Sequence, residues 1–287
     1  WDLAPRAAIG RVTCLARCDH CSSGPLRKFP KPLNAMFSDT SSLNGANRVS
    51  MKYLFKRVVN RLLRMIGFEI PVRFGSLRRV NPISRSFGID RGKPIDRYYI
   101  EGFLEKYRHD IRGRVLEAGG LVNYTRQFGD DRVIRSDILY PKDGHPDGTI
   151  IGDLATSKSI PSGVFDCLIL TQVFPFIYDV RAAIANSYWA LKEGGVLLAT
   201  FPGISQICRY DMDQWGDYWR FTDEAVRRLI GEVFQPENAT VKSHGNVLVA
   251  CAFLHGLASR ELTRQELDYN DPDYQLSITV RAVKTKI

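Results

Sequence analysis

The sequence predicts an α/β domain built on a mostly parallel sheet with helices on both faces, and three observations carry that expectation. Apolar runs of strand length recur from Arg114 to the C-terminus, and Phe165 to Thr171 (Phe-Asp-Cys-Leu-Ile-Leu-Thr) is the clearest of them. Segments with helical spacing, such as Val180 to Leu191, separate these runs. The chain shows no internal repeat or low-complexity tract that would favour a solenoid or a disordered tail. A strand apolar along its whole length has to be covered on both sides, which is the situation of parallel strands between two helical layers.

The elements follow in order. A helix is expected over Ile95 to His109, then strands at Arg114 to Glu117, Val133 to Ser136 and Thr149 to Gly152. The fourth strand is Phe165 to Thr171, and the fifth is Gly195 to Phe201 after the helix ending near Leu191. Thr222 is placed to cap a helix over Ala225 to Val233, with Asp223 and Glu224 in its first turn where acidic groups oppose the helix dipole. Strands at Thr240 to Ser243 and Leu276 to Val283 close the chain, with an inserted helix between them at Asn246 to Ala258.

Ahead of this domain the pattern changes. Residues 1–50 are irregular and begin on Trp1, so they read as an appended, non-native extension that contributes nothing to folding, and Met51 reads as the biological start. Residues 51–68 alternate apolar and basic side chains at helical spacing. Such a helix either docks on its own domain or makes a peripheral contact with an anionic membrane surface. Residues 72–94 are expected to form a covering arm, leaving 95–287 as the main domain.

The composition is that of an ordinary globular chain, 44% hydrophobic and 25% charged, with no apolar stretch long enough for a membrane span. A soluble, cytoplasmic or membrane-peripheral protein is expected. The net charge of +9 would suit an anionic partner, but much of the excess lies before Lys93, so nucleic acid is not the expected partner. Of the six cysteines, Cys167 and Cys251 sit in apolar runs where buried, reduced thiols are expected. Cys14, Cys18 and Cys21 have a spacing used to hold an iron-sulfur cluster, but the barrel such enzymes need does not follow, and no metal is expected.

Four motifs carry the functional reading. Val115-Leu116-Glu117-Ala118-Gly119-Gly120 ends a strand in an acidic residue and a glycine turn; Asp137 follows the second strand by the spacing that puts a carboxylate on ribose hydroxyls; Gly152-Asp153-Leu154-Ala155 follows the third; Leu191-Lys192-Glu193-Gly194-Gly195-Val196-Leu197 leads into the fifth. Together they resemble the class I, Rossmann-like S-adenosylmethionine-dependent methyltransferases of the type 11 and type 12 kind, over roughly Ile95 to Val283. The family turn usually has a glycine where this chain has Leu121. The resemblance implies a seven-stranded, mostly parallel sheet closed by an antiparallel last hairpin, with S-adenosylmethionine as cofactor. It also implies Glu117, Gly119, Gly120, Asp137, Asp153, Thr171 and Gln172 as cofactor-binding residues, and Gly194 or Gly195 as the left-handed cap of the preceding helix.

The acceptor side is sought in Arg209 to Arg220, which leaves the carboxyl end of the fifth strand. Asp211 is the leading candidate for general base, with Asp213 and Asp217 as competitors; Trp215, Tyr218, Trp219 and Arg220 are the expected substrate contacts. Should that loop be mere packing, Arg97, Tyr98 and Tyr99 come next. His244, alone at a strand end, reads as a structural hydrogen-bonding residue. The sequence lacks an Asn-Pro-Pro-Tyr-like tetrapeptide after the fourth strand and lacks a Pro-Cys pair, which leaves oxygen of a small molecule or glycan as the expected acceptor. An RNA methyltransferase and a non-catalytic interaction module remain as alternatives.

Overall fold

The computed structural model describes Val58 and residues 75–118, 122–143, 146–156 and 159–285. The extension 1–50, the three-cysteine cluster, nearly all of the basic segment 51–68, and Gly119, Gly120 and Leu121 therefore lie outside the described residues.

Seven strands form one sheet in the order β3-β2-β1-β4-β5-β7-β6. They are β1 Gly113–Ala118, β2 Val133–Tyr140, β3 Ile150–Ile151, β4 Phe165–Thr171, β5 Leu191–Pro202, β6 Ala239–His244 and β7 Ser277–Val283. β1 pairs in parallel with β2 and β4, β2 with β3, and β4 with β5, while β7 runs antiparallel to both β5 and β6. This is the seven-stranded Rossmann-like sheet with an antiparallel end that the sequence leads one to expect.

The helices are α1 Ile95–Lys106, α2 Tyr124–Gly129, α3 Val180–Ala190, α4 Arg209–Gln214, α5 Asp223–Gly231, α6 Val247–Leu254 and α7 Arg264–Asp268. Successive strand side chains point to opposite faces, and the central strands use both. Val115, Cys167, Ile169, Val196 and Leu198 pack with Ile100, Phe103 and Leu104 of α1 and Tyr124 and Phe128 of α2. Their neighbours Leu116, Leu168, Leu170, Leu197 and Ala199 pack on the other face with Ala183 and Ile184 of α3 and Val226 and Ile230 of α5. Each fully buried aliphatic side chain contributes roughly 1.5–3 kcal/mol, so the two layers are what hold the sheet. A third cluster joins α6 and α7, inserted between β6 and β7, to Ile95 and Tyr99 at the start of α1.

Several local expectations hold and several are corrected. Thr222 caps α5, its Oγ1 accepting from the backbone N–H of Ala225 at 3.3 Å. The cap expected from Gly194 or Gly195 is not where it was placed, because α3 ends at Ala190 and the chain is already in β5 at Leu191. Gly194 is left-handed (φ 75°), but it turns the start of β5, where its N–H donates to Lys284 O at 2.7 Å. β2 extends four residues beyond Ser136, to Tyr140, which moves Asp137 inside the strand. Cys167 is buried as expected, whereas Cys251 is exposed, because α6 leaves one apolar side uncovered. No described helix is long and apolar enough to cross a membrane.

Candidate functional site

In the observed strand order the chain leaves β1 toward β2 and leaves β4 toward β5, so the direction of winding reverses between β1 and β4. Ligands of open α/β sheets sit in the crevice at such a reversal, outside the carboxyl ends of the strands. The site is built from what those ends present.

At the end of β1, Glu117 is buried and both carboxylate oxygens are engaged. Oε1 accepts from the N–H of Tyr124 at 2.9 Å, and Oε2 accepts from the N–H and Oγ1 of Thr125, each at 2.8 Å. These are free donors of the first turn of α2, and an acidic group there also opposes the helix dipole. Asn123 completes the cap, accepting from Arg126 N–H at 2.8 Å. Glu117 thus ties the N-terminus of α2 back to β1. Burial raises its pKa against the pull of these hydrogen bonds and of Arg97. Arg97, in the first turn of α1, donates to Tyr124 Oη and lies 5.6 Å over that ring. Its guanidinium is disfavoured by burial, yet Asp96 and Tyr124 outweigh this and raise its pKa.

At the end of β4, Thr171 stays in the sheet opposite Thr200. Gln172 then turns into the left-handed region with φ 57°, its N–H donating to Thr200 O at 3.1 Å. A non-glycine residue held there costs about 1–2 kcal/mol, and such strain gathers at ligand clamps. The Gln172 side chain makes no hydrogen bond among the described residues.

Asp153 stands just after β3 and is exposed, with Oδ1 accepting from Ala155 N–H at 2.8 Å. Asp137 differs from the expected placement. It is buried in the middle of β2 and bound by Arg114 Nε at 2.7 Å, Arg135 Nη2 at 3.1 Å and Thr149 Oγ1 at 3.2 Å. Burial pushes its carboxyl up, but the two arginines and Thr149 prevail and its pKa is lowered. Because the folded-state pKa is depressed, the ionised group stabilises the fold above the ordinary carboxylate range, and this is lost as pH falls through it. Asp137→Asn is expected to cost about 1–2 kcal/mol at neutral pH. Denaturant titrations at stepped pH should show the gap to wild type closing on acidification.

The 209–220 segment, read from sequence as a loop, begins as α4 and continues without regular secondary structure. Trp215 at its end meets Tyr140 of β2 edge to face at 6.1 Å, and Lys142 Nζ lies 4.7 Å over the indole. The segment leaves β5 and, through Trp215, reaches the last residue of β2. Tyr218, whose Oη donates to Trp215 O at 3.0 Å, and Trp219 pack on Tyr178 at 5.4 and 5.9 Å, and Trp219 Nε1 donates to Ile177 O at 3.1 Å. Tyr178, 72% exposed, was missed in the sequence; its one signal was the aromatic run Phe-Pro-Phe-Ile-Tyr after β4.

The three carboxylates of this segment separate by environment. Asp217 is buried and held by both Arg220 Nη atoms, at 2.5 and 2.9 Å, and by Cys208 N–H at 3.0 Å. Arg220 also donates to the carbonyls of Ser205, Gln206 and Trp219, so this pair pins the segment. Asp213 is exposed and faces Arg209 at 3.7 Å, a surface pair of little energetic weight. Asp211 is half-buried, accepting from Trp215 Nε1 at 3.3 Å, beside a Cys208 thiol pushed up to about 11 by burial and by Asp211 itself.

His244 lies at the end of β6, beyond β7 from the crevice, stacked on Tyr99 at 5.5 Å with Nε2 3.0 Å from Thr279 Oγ1. Burial, with Lys242 and Lys106 nearby, lowers its pKa to about 4, so the ring is neutral near pH 7. Tyr98 and Tyr99 line a groove of about 630 Å³ between α1 and the β6–β7 hairpin, on the face of the sheet rather than at the crevice. Among the described residues no group of His, Cys, Asp and Glu is arranged to hold a metal ion.

Comparison with known proteins gives no matching family model and no matching curated protein. Among solved structures, the chain is similar to an S-adenosylmethionine-dependent methyltransferase from Archaeoglobus fulgidus, with 12% identity, a TM-score of 0.43, and 66% of this chain covering 94% of that one. It is also similar to the N-methyltransferase NodS from Bradyrhizobium japonicum in complex with S-adenosylhomocysteine, with 13% identity, a TM-score of 0.44, and 74% of this chain covering 97% of that one. The fold assignment itself rests on the strand order and register described above.

Proposed function

We propose that this chain transfers a methyl group from S-adenosylmethionine to an oxygen of a small molecule or glycan. The observation that carries this reading is the segment from β5 that reaches Tyr140 of β2 through Trp215, bringing aromatic and carboxylate side chains to the ends of the strands, where an open sheet takes its ligand.

The residues present fit the cofactor with one exception. The Arg97 cation, beside Tyr124 and Glu117, is the partner for the methionine carboxylate. The free amide of Gln172 and the exposed carboxylate of Asp153 supply polar contacts to the nucleoside, Asp153 to the adenine amino group, and Gly119 and Gly120 are assigned to the methionine moiety. Asp137 is the exception: its oxygens are already taken by Arg114, Arg135 and Thr149, so it positions the β1–β2 pair and does not meet the ribose.

When bound, the cofactor supplies an activated methyl group, and the protein's part is to align the acceptor oxygen in line and keep water out. Trp215 covers the crevice, Tyr218 and Trp219 with Tyr178 form the outer wall, and Asp211 takes the acceptor proton. Titration calorimetry with S-adenosylmethionine and S-adenosylhomocysteine, followed by transfer of labelled methyl to a panel of glycans and hydroxylated metabolites, tests this. Saturable binding of both and label on an oxygen are expected. Binding of neither ligand, or label on a nitrogen, would overturn it.

A further inference from the structure

Helix α6 reads Val-Leu-Val-Ala-Cys-Ala-Phe-Leu and carries no polar or charged side chain apart from its single thiol. Val249, Ala250, Ala252 and Phe253 are buried, while Val247 and Leu248 are 50% and 41% exposed, Leu254 is 41% exposed, and Cys251 is exposed as well. These four lie at i, i+1, i+4 and i+7, one continuous apolar stripe. A helix apolar all round is one that is covered on every side. α6 is also firmly held: Asn246 accepts from Val249 N–H at 3.0 Å and donates to the carbonyls of Glu266 and Tyr269 at 2.7 and 2.8 Å, so the stripe is presented on a fixed support.

We propose that the stripe is covered by the same stripe of a second copy of this chain, with the two α6 helices antiparallel about a twofold axis near Cys251. A twofold interface must be complementary to itself, and two features make this surface so. The stripe bears no charge and is centred on Cys251, so antiparallel apposition sets Val247 and Leu248 of one copy against Leu254 of the other. The two ends of α6 carry opposite charge. Next to its N-terminus run Asp271, whose N–H donates to Gly245 O at 2.8 Å, and Asp273, whose N–H donates to Asp271 Oδ1 at 3.1 Å. Next to its C-terminus, Ile83 and Ser84 donate to His255 O at 2.9 and 3.0 Å, which brings exposed Arg85 there, and exposed Arg260 follows soon after in the chain; of the acids beside them, Asp90 accepts from Ser84 Oγ and Glu261 is paired with Arg91, which leaves this end net basic. An antiparallel pair sets the acidic end of one copy against the basic end of the other, whereas a parallel pair would set like against like. With only an eight-residue helix at its centre the interface is a small one, and weak association is expected. This inference does not depend on the proposed methyl transfer.

Sedimentation equilibrium of the full chain over a wide concentration range tests it, with Leu248→Glu as the principal variant and mild oxidation as a second readout. Wild type should dimerise reversibly, and Leu248→Glu should weaken dimerisation at least about tenfold with its thermal transition unchanged, since the side chain is partly exposed. Copper-catalysed oxidation should trap a covalent dimer that Cys251→Ser abolishes and that Cys208→Ser leaves intact. Should Leu248→Glu fail to fold, Asp271→Lys, which leaves the stripe intact, must still weaken the dimer. A chain that stays monomeric throughout overturns the proposal. So does a monomer that floats with phosphatidylserine vesicles through α6, which would give the stripe to a lipid surface.

Discussion

Asp211→Asn is expected to lower methyl-transfer turnover by about 10²–10⁴-fold while cofactor affinity stays within about a factor of two. The reasoning runs through its neighbours. Asp217 cannot move a proton without releasing Arg220 and the segment that Arg220 pins. Asp213 points to solvent with Arg209. Asp211 alone of the three is half-buried against the Trp215 indole with no arginine on it, its partners being Trp215 Nε1 and the Cys208 thiol. The amide replacement has nearly the same shape and can still accept from Trp215, so a loss of turnover reports on proton removal and not on packing. Asp213→Asn, assayed alongside, should stay within about twofold of wild type. Turnover retained in Asp211→Asn would remove the carboxylate from the mechanism.

Glu117→Ala is expected to destabilise the domain by about 3–4 kcal/mol and to weaken cofactor binding beyond measurement. Two buried backbone donors, on Tyr124 and Thr125, lose their acceptor, each costing about 1–3 kcal/mol. For a domain of this size that corresponds to a fall of roughly 10 °C in Tm. Binding falls with it because the N-terminus of α2 is no longer tied to the end of β1. Calorimetric melting and cofactor titration of the same sample separate the two effects. A Tm within a degree or two of wild type would show that Glu117 does not anchor α2.

How much of this was legible in the sequence depends on how local the cause is. β4 could be read residue for residue, because a strand buried on both faces leaves a nearly continuous apolar run, here interrupted only by Asp166 near its start. The cap at Thr222 was equally local. Asp137 was misplaced because the spacing from Glu117 fixes a distance along the chain and not the strand's end. The signal that would have corrected it, Arg135 two residues earlier and so on the same side of the strand, was present in the sequence. Nothing local marks Gln172, a non-glycine held left-handed by the ends of two neighbouring strands. The span from β5 to Tyr140 and the open side of α6 are tertiary facts, and an apolar helix reads the same in sequence whether one side or both are covered.

The central claim is that the cofactor lies in the β1–β4 crevice beneath Trp215. A crystal structure of the full chain with S-adenosylhomocysteine tests it most directly. The account predicts the ligand across the carboxyl ends of β1 and β4, its carboxylate on Arg97, its nucleoside within hydrogen-bonding reach of Gln172 and Asp153, and the Asp137 pairs with Arg114 and Arg135 intact. Ligand seated in the groove between α1 and β6, or a crevice that stays empty at saturating ligand, would contradict it.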